Sequence, residues 1–131
     1  MRKILVTGGS GFIGTNFVNL VSSKNYKILN IDKLSEISTP ERFKIIKYPN
    51  KYFFIKDDLK NYKKILDTIK KFKPDLIINF AAESHVDRSI NDPLNFIKNN
   101  INLSINLFFA YSHYLKIKKI KFFHISTDEV Y

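Results

Sequence analysis

Short apolar runs alternate with amphipathic stretches along the whole chain. KILVT (3–7), KILNID (27–32), YFFIK (52–56), DLIINFAA (75–82) and IKFFHIST (120–127) are of strand length and read as five buried strands. Phe12, Ile13, Phe17, Leu20 and Val21 recur at helical spacing and predict a helix over 12–23. A second helix is predicted over 59–72. There Leu59, Tyr62, Ile65, Leu66, Ile69 and Phe72 share one face, and the lysines lie largely outside it. Asp92 followed by Pro93 is an N-cap and first-turn pair, opening a third helix that runs to about residue 115. Residues 33–50, punctuated by Pro40 and Pro49, carry no regular period. This alternation specifies an α/β domain, a parallel sheet with helices on both faces. No repeat or linker interrupts it, so residues 1–131 are expected to form one domain.

Composition narrows the function classes. No stretch approaches the roughly 20 apolar residues of a membrane span. The N-terminal MRKILVTGGSG has too short an apolar run for a signal peptide, which makes the cytoplasm the expected location. There is no cysteine, so disulfides and thiol chemistry are excluded. With only His85, His113 and His124 for imidazole ligands, no metal site is expected. His124 alternates with apolar neighbours and reads as a satisfied core histidine. The net charge is +10, and eleven of the 22 basic residues fall between Arg42 and Lys73, nearly all of them lysines. Arginine, whose fork grips phosphates and base edges, occurs only at positions 2, 42 and 88. The lysines therefore read as a solvated face, and no nucleic-acid partner is expected.

All four glycines of the chain, Gly8, Gly9, Gly11 and Gly14, fall within the string TGGSGFIG. That string sits between a predicted strand and a predicted helix, where backbone N–H groups and the positive helix end would meet a dinucleotide's diphosphate. Asp32 closes the second strand, eighteen positions past Gly14, where a carboxylate accepts from the adenosine ribose hydroxyls and repels a 2′-phosphate. NAD is thus favoured over NADP, although Lys33 beside it weakens that preference. The competing readings are a tight turn with no ligand and, for Asp32, a turn-forming acid.

The spacing, G-x-x-G-x-x-G from Gly8, resembles the extended short-chain dehydrogenase/reductase superfamily. AAESHVDRSI (81–90) and HISTDEVY (124–131) narrow the resemblance to the nucleotide-sugar 4,6-dehydratases, with dTDP-glucose as the expected substrate. The resemblance implies a Rossmann-type, doubly wound sheet in strand order 3-2-1-4-5, lacking the last strands of that fold. It implies cofactor contacts from Gly8, Gly11, Phe12, Ile13 and Gly14, and from Asp32, Lys33, Leu34 and Ser35 around the adenosine ribose. Asp58 and Leu59 would lie by the adenine, and Phe80, Ala81, Ala82, Glu83 and Ser84 would follow the fourth strand. Ser84 would touch both cofactor and sugar. Asn99 stands where the family usually carries a threonine. Asp57 and Asp58 also read as caps for a helix beginning near Leu59.

Such dehydratases oxidise the sugar at C4, eliminate water across C5 and C6, and return the hydride to C6. Elimination needs a base for the C5 proton and an acid for the departing hydroxyl, a task two carboxylates can divide. The resemblance makes Asp128 the acid, Glu129 the base and Thr127 a sugar ligand. Related C4 epimerases carry small polar residues in place of the two acids. The superfamily's catalytic Tyr-x-x-x-Lys pair has no usable match here, so the chain is expected to be the front part of a longer, homodimeric enzyme and inactive alone. The carrier nucleotide, dTDP or UDP, is left open, as is a non-catalytic NAD-binding module.

Overall fold

The computed structural model describes residues 1–34, 49–83 and 86–126. Ser35, Ser84, Thr127, Asp128 and Glu129 lie outside the described residues. Five parallel strands form one sheet: β1 (Arg2–Thr7), β2 (Tyr26–Asp32), β3 (Tyr52–Lys56), β4 (Leu76–Asn79) and β5 (Lys121–His124). Their order is β3-β2-β1-β4-β5, as expected. The helices are α1 (Phe12–Ser22), α2 (Tyr62–Phe72), α3 (Val86–Asn91) and α4 (Pro93–Leu115).

Side-chain alternation along the strands builds two cores. Leu5, Leu29, Ile31 and Ile77 point to one face and pack with Ile65, Leu66 and Ile69 of α2 and Leu107, Ala110 and Tyr114 of α4. Ile4, Val6, Ile28 and Ile78 point to the other and meet Val18 of α1. Both faces are covered, which is why β1 and β2 read as continuous apolar runs rather than as alternating ones.

Four predicted elements shift, the fifth strand by ending at His124 with Ile125 and Ser126 outside it. The 12–23 helix exists, but Phe12, Ile13 and Leu20 of the apolar stripe are exposed, and Gly14, Thr15, Val18 and Ser22 are buried instead. The helix start lies so close to the glycine loop that only small residues fit beneath it. The 59–72 helix begins at Tyr62, because Leu59 adopts φ 58° and Asn61 is the N-cap, its side chain accepting from the Lys64 amide. Leu59 is nevertheless core, 2% exposed. The fourth strand stops at Asn79 instead of reaching Ala82, and the short α3 was not anticipated.

His124 is satisfied but not buried. It ends β5, which pairs with β4 on one side and has no strand on its outer side among the described residues. Helix α4 is apolar on two sides. Opposite its core face, Leu94, Ile97, Ile101, Ile105 and Phe108 form an exposed stripe at helical spacing.

Candidate dinucleotide site

The chain passes from β1 outward to β2 and β3, then crosses back to start β4 on the other side of β1. This reversal opens a crevice beyond the carboxyl ends of β1 and β4, the place where open α/β sheets take their ligands. The glycine loop lies at that point.

Its geometry excludes side chains. Gly8 has φ +70°, and a Cβ there would fall 2.5 Å from the Ala81 nitrogen. A Cβ on Gly14 would lie 2.3 Å from the Gly8 carbonyl oxygen, and one on Gly9 would meet the Asn30 side chain at 2.4 Å. Gly11 is looser, with its nearest neighbour at 3.4 Å. It is the N-cap of α1, with φ −72° and ψ 175°, and having no side chain it cannot cap the helix. No acid stands in the first turn. The positive end of α1 thus has neither a side-chain cap nor an acid in its first turn, a fitting cradle for a diphosphate.

Polar side chains at the ends of β2 and β4 hold this loop. Asp32, 8% exposed, accepts from the Ser10 amide at 2.9 Å and from the Leu34 amide at 2.8 Å. A carboxylate has about four acceptor positions, so the ribose hydroxyls expected at Asp32 still have lone pairs to bind. Asn30, fully buried, accepts from the Gly9 amide at 3.0 Å and donates to the Ser10 hydroxyl and the Tyr52 hydroxyl. Burial pushes the Tyr52 phenol up to about 12, against a smaller opposing effect of the Asn30 hydrogen bond. Thr15 donates to the Gly9 carbonyl from inside α1.

At the end of β4, Asn79 accepts from the Thr7 hydroxyl and from the Ala81 amide at 3.0 Å. Its amide group donates to His124 Nδ1 at 2.9 Å. One residue thereby ties β1, β5 and the segment Phe80–Glu83 together. Asn100 of α4 brackets Glu83, accepting from its N–H at 2.7 Å and donating to its carbonyl at 2.9 Å. The Glu83 carboxylate pairs with the Lys33 ammonium. Asn99, the residue expected here, is half-buried one position before this clamp.

At the end of β3, Asp57 accepts from the Leu59 amide and pairs with Lys64, and Asp58 accepts from the Lys60 amide. These acids brace the turn 57–60 rather than capping α2 at Leu59. Slight burial works against ionisation of Asp58, but hydrogen bonds from Lys60 outweigh it and hold the carboxyl below the usual range.

The structure brings Gly8, Gly11, Phe12, Ile13, Gly14, Asp32, Lys33, Leu34, Phe80, Ala81, Ala82 and Glu83 to the same carboxyl edge of the sheet. Asp58 and Leu59 follow β3 at that edge too. Sequence reasoning missed Asn30, Asn79 and Asn100. The signal for the first two was present: each interrupts an apolar strand with an amide that burial obliges to find partners.

Comparison with known proteins agrees with this fold. The chain is 38% identical to a probable dTDP-glucose 4,6-dehydratase of Sinorhizobium fredii, over 98% of its own length and 39% of the relative's. It is 37% identical to the dTDP-glucose 4,6-dehydratase of Xanthomonas campestris, over its whole length and again 39% of the relative's. The chain thus spans about two-fifths of the curated relatives it matches. Among solved structures, the dTDP-glucose 4,6-dehydratase of Bacillus anthracis in complex with NAD superposes with a TM-score of 0.79 at 34% identity, covering 99% of this chain and 39% of that one. The UDP-Glc/GlcNAc 4-epimerase of Campylobacter jejuni superposes with a TM-score of 0.83 at 26% identity, covering 98% and 38%. The family model for GDP-mannose 4,6 dehydratase matches residues 5–131, and on that match the chain belongs to this dehydratase family.

Proposed function

We propose that the chain is the NAD-binding portion of a dTDP-glucose 4,6-dehydratase-type lyase. The observation that carries this is the glycine loop at the sheet's switch point, held open by Asp32 and Asn30 with the start of α1 facing the crevice. NAD at this site would supply a hydride acceptor and donor. Gly8, Gly11 and Gly14, with the backbone at Phe12 and Ile13, would hold its diphosphate. Asp32, Lys33, Leu34 and Ser35 would take the adenosine ribose, and Asp58 and Leu59 would lie by the adenine. Phe80, Ala81, Ala82, Glu83, Ser84 and Asn99 would face the remainder. Strand β5 leads to Ser126 at the same edge of the sheet, with the Ile125 amide bonded to the Asn79 carbonyl at 3.0 Å. Thr127, Asp128 and Glu129 follow directly in sequence. In this reading Ser84 and Thr127 bind the sugar, Asp128 protonates the departing C6 hydroxyl and Glu129 takes the C5 proton.

Calorimetric titration of the folded chain with NAD tests the cofactor half: saturable binding is expected, and silence at millimolar NAD overturns it. The chain alone is expected to form no 4-keto-6-deoxy sugar from dTDP-glucose; detectable product would overturn that. A 4-epimerase is the second reading, supported by the superposition with the Campylobacter jejuni enzyme and opposed by the Asp128–Glu129 pair. A cytoplasmic location and a homodimer for the whole enzyme complete the proposal; the exposed apolar stripe of α4 supports the latter, and sedimentation tests it.

A further inference from the structure

The pair between Lys33 and Glu83 has an unusual position. Lys33 follows the last residue of β2, and Glu83 lies four residues beyond the end of β4. Between those strands runs β1, whose end becomes the glycine loop. The ion pair therefore spans two strand spacings, about 10 Å, across the mouth of the crevice.

Both ends are anchored through backbone. On the Lys33 side, Asp32 Oδ1 accepts from the Leu34 amide, and Leu34 adopts φ 55°, so the turn that presents Lys33 is fixed. On the Glu83 side, Asn100 holds both the N–H and the carbonyl of Glu83. The Glu83 side chain is 17% exposed and that of Lys33 38%, so the carboxylate is the more enclosed partner. A surface ion pair of this kind adds little stability. Its consequence lies in where it keeps the charges. Asp32 and Glu83 carry two negative charges at the mouth, and Lys33 one positive charge. The ammonium is next in sequence to the carboxylate that reads the ribose. A basic side chain in that neighbourhood is what lets a dinucleotide fold accept a 2′-phosphate.

We propose that Glu83 is a cofactor-selectivity residue. By holding Lys33 across the crevice, it withholds the ammonium that would otherwise neutralise a 2′-phosphate beside Asp32. The site then takes an adenosine ribose with a free 2′-hydroxyl and turns away its phosphorylated form. This resolves the conflict between an acid that favours NAD and the lysine beside it. The inference rests on the reading of the crevice as a dinucleotide site.

The test is calorimetric titration of the chain and three variants with NAD and with NADP, scored as the ratio of the two affinities. The parent is expected to prefer NAD. Glu83→Gln keeps the shape and the backbone contacts to Asn100 but frees Lys33, and the NADP/NAD affinity ratio is expected to rise about tenfold or more, the worth of one charge-assisted hydrogen bond. Adding Lys33→Met to that variant is expected to abolish the gain. Lys33→Met alone leaves Glu83 unpaired at the mouth, and the ratio is expected to fall below the parent's. A structural role for the pair would weaken both dinucleotides together and leave the ratio unmoved. A ratio unchanged in Glu83→Gln, or a gain that survives Lys33→Met, overturns the proposal while the cofactor reading stands. A parent chain that binds neither dinucleotide overturns the cofactor reading, and the proposal with it.

Discussion

Asp32 Oδ2 accepts the Ser10 amide at 2.9 Å, so the carboxylate that ends β2 is also a structural member of the glycine loop. The ligand reading proposed for Asp32 is therefore tied to the shape of the loop. Asp32→Ala removes the acceptor for two amides, Ser10 and Leu34, in a largely buried setting. A loss of about 2–4 kcal/mol of folding stability is expected even without ligand. Urea denaturation measures it, and a change under about 0.5 kcal/mol would show that the loop holds its shape without Asp32.

The glycines are not equivalent. Gly14→Ala places a methyl 2.3 Å from the Gly8 carbonyl oxygen, and the backbone must move to admit it. At Gly11 the nearest atom is 3.4 Å away and φ is −72°, which any residue adopts. Gly14→Ala is expected to cost about 1–3 kcal/mol or more, and Gly11→Ala less than about 1 kcal/mol. Thermal melts of the two variants side by side check the order; equal losses would contradict it.

Asn79 gathers three partners, Thr7, the Ala81 amide and His124. Asn79→Ala should cost about 2–4 kcal/mol, because Thr7 and the Ala81 amide lose their buried acceptor. It should also loosen Phe80–Glu83. Hydrogen exchange at the Ala81 amide, faster in the variant than any fall in global stability explains, is the expected result. Unchanged protection would place the restraint elsewhere.

At the opposite end of the sheet, Asp75 accepts from the Lys118 ammonium at 2.6 Å and from the Lys3 amide at 2.8 Å. The Lys118 hydrogen bond first, and the Lys3 amide second, hold its carboxyl below the usual range. Because the folded value is depressed, the stabilisation is present above the unfolded value of about 4 and disappears as pH falls through the lower folded value. Asp75→Asn should therefore flatten the fall in melting temperature below about pH 4. The pair is well exposed, so the effect is small and is expected to shrink in high salt. An acid limb that is identical in the two proteins would remove Asp75 from the account.

The alternation of strands and helices and the glycine loop between the first strand and the first helix were legible in the residues, while the strand order was implied by the family resemblance and is the one observed. β1 and β2 were legible from their side-chain pattern as apolar runs of strand length, and the structure places Leu5 and Val6 on opposite faces of the sheet. The apolar face of α2 was legible for the same reason, since Ile65, Leu66 and Ile69 all point inward. α1 was misread along part of its length. Its N-terminal turn is pressed onto the loop through Gly14, so bulky Phe12 and Ile13 turn outward. Periodicity reports which residues share a face, not how near the opposing backbone comes.

What the amino-acid order determined by itself is the sequence of elements, the place of the glycine elbow between β1 and α1, and the acid that ends β2. These are local matters of side-chain period, backbone freedom and chain reversal. Only the tertiary structure decided that Asp32 holds the Ser10 amide, that Asn100 grips Glu83, and that Glu83 meets Lys33 across β1. Each of those contacts joins residues 17 to 50 positions apart. They exist because parallel strands bring their carboxyl ends to one edge, and burial there compels every polar group to find a partner.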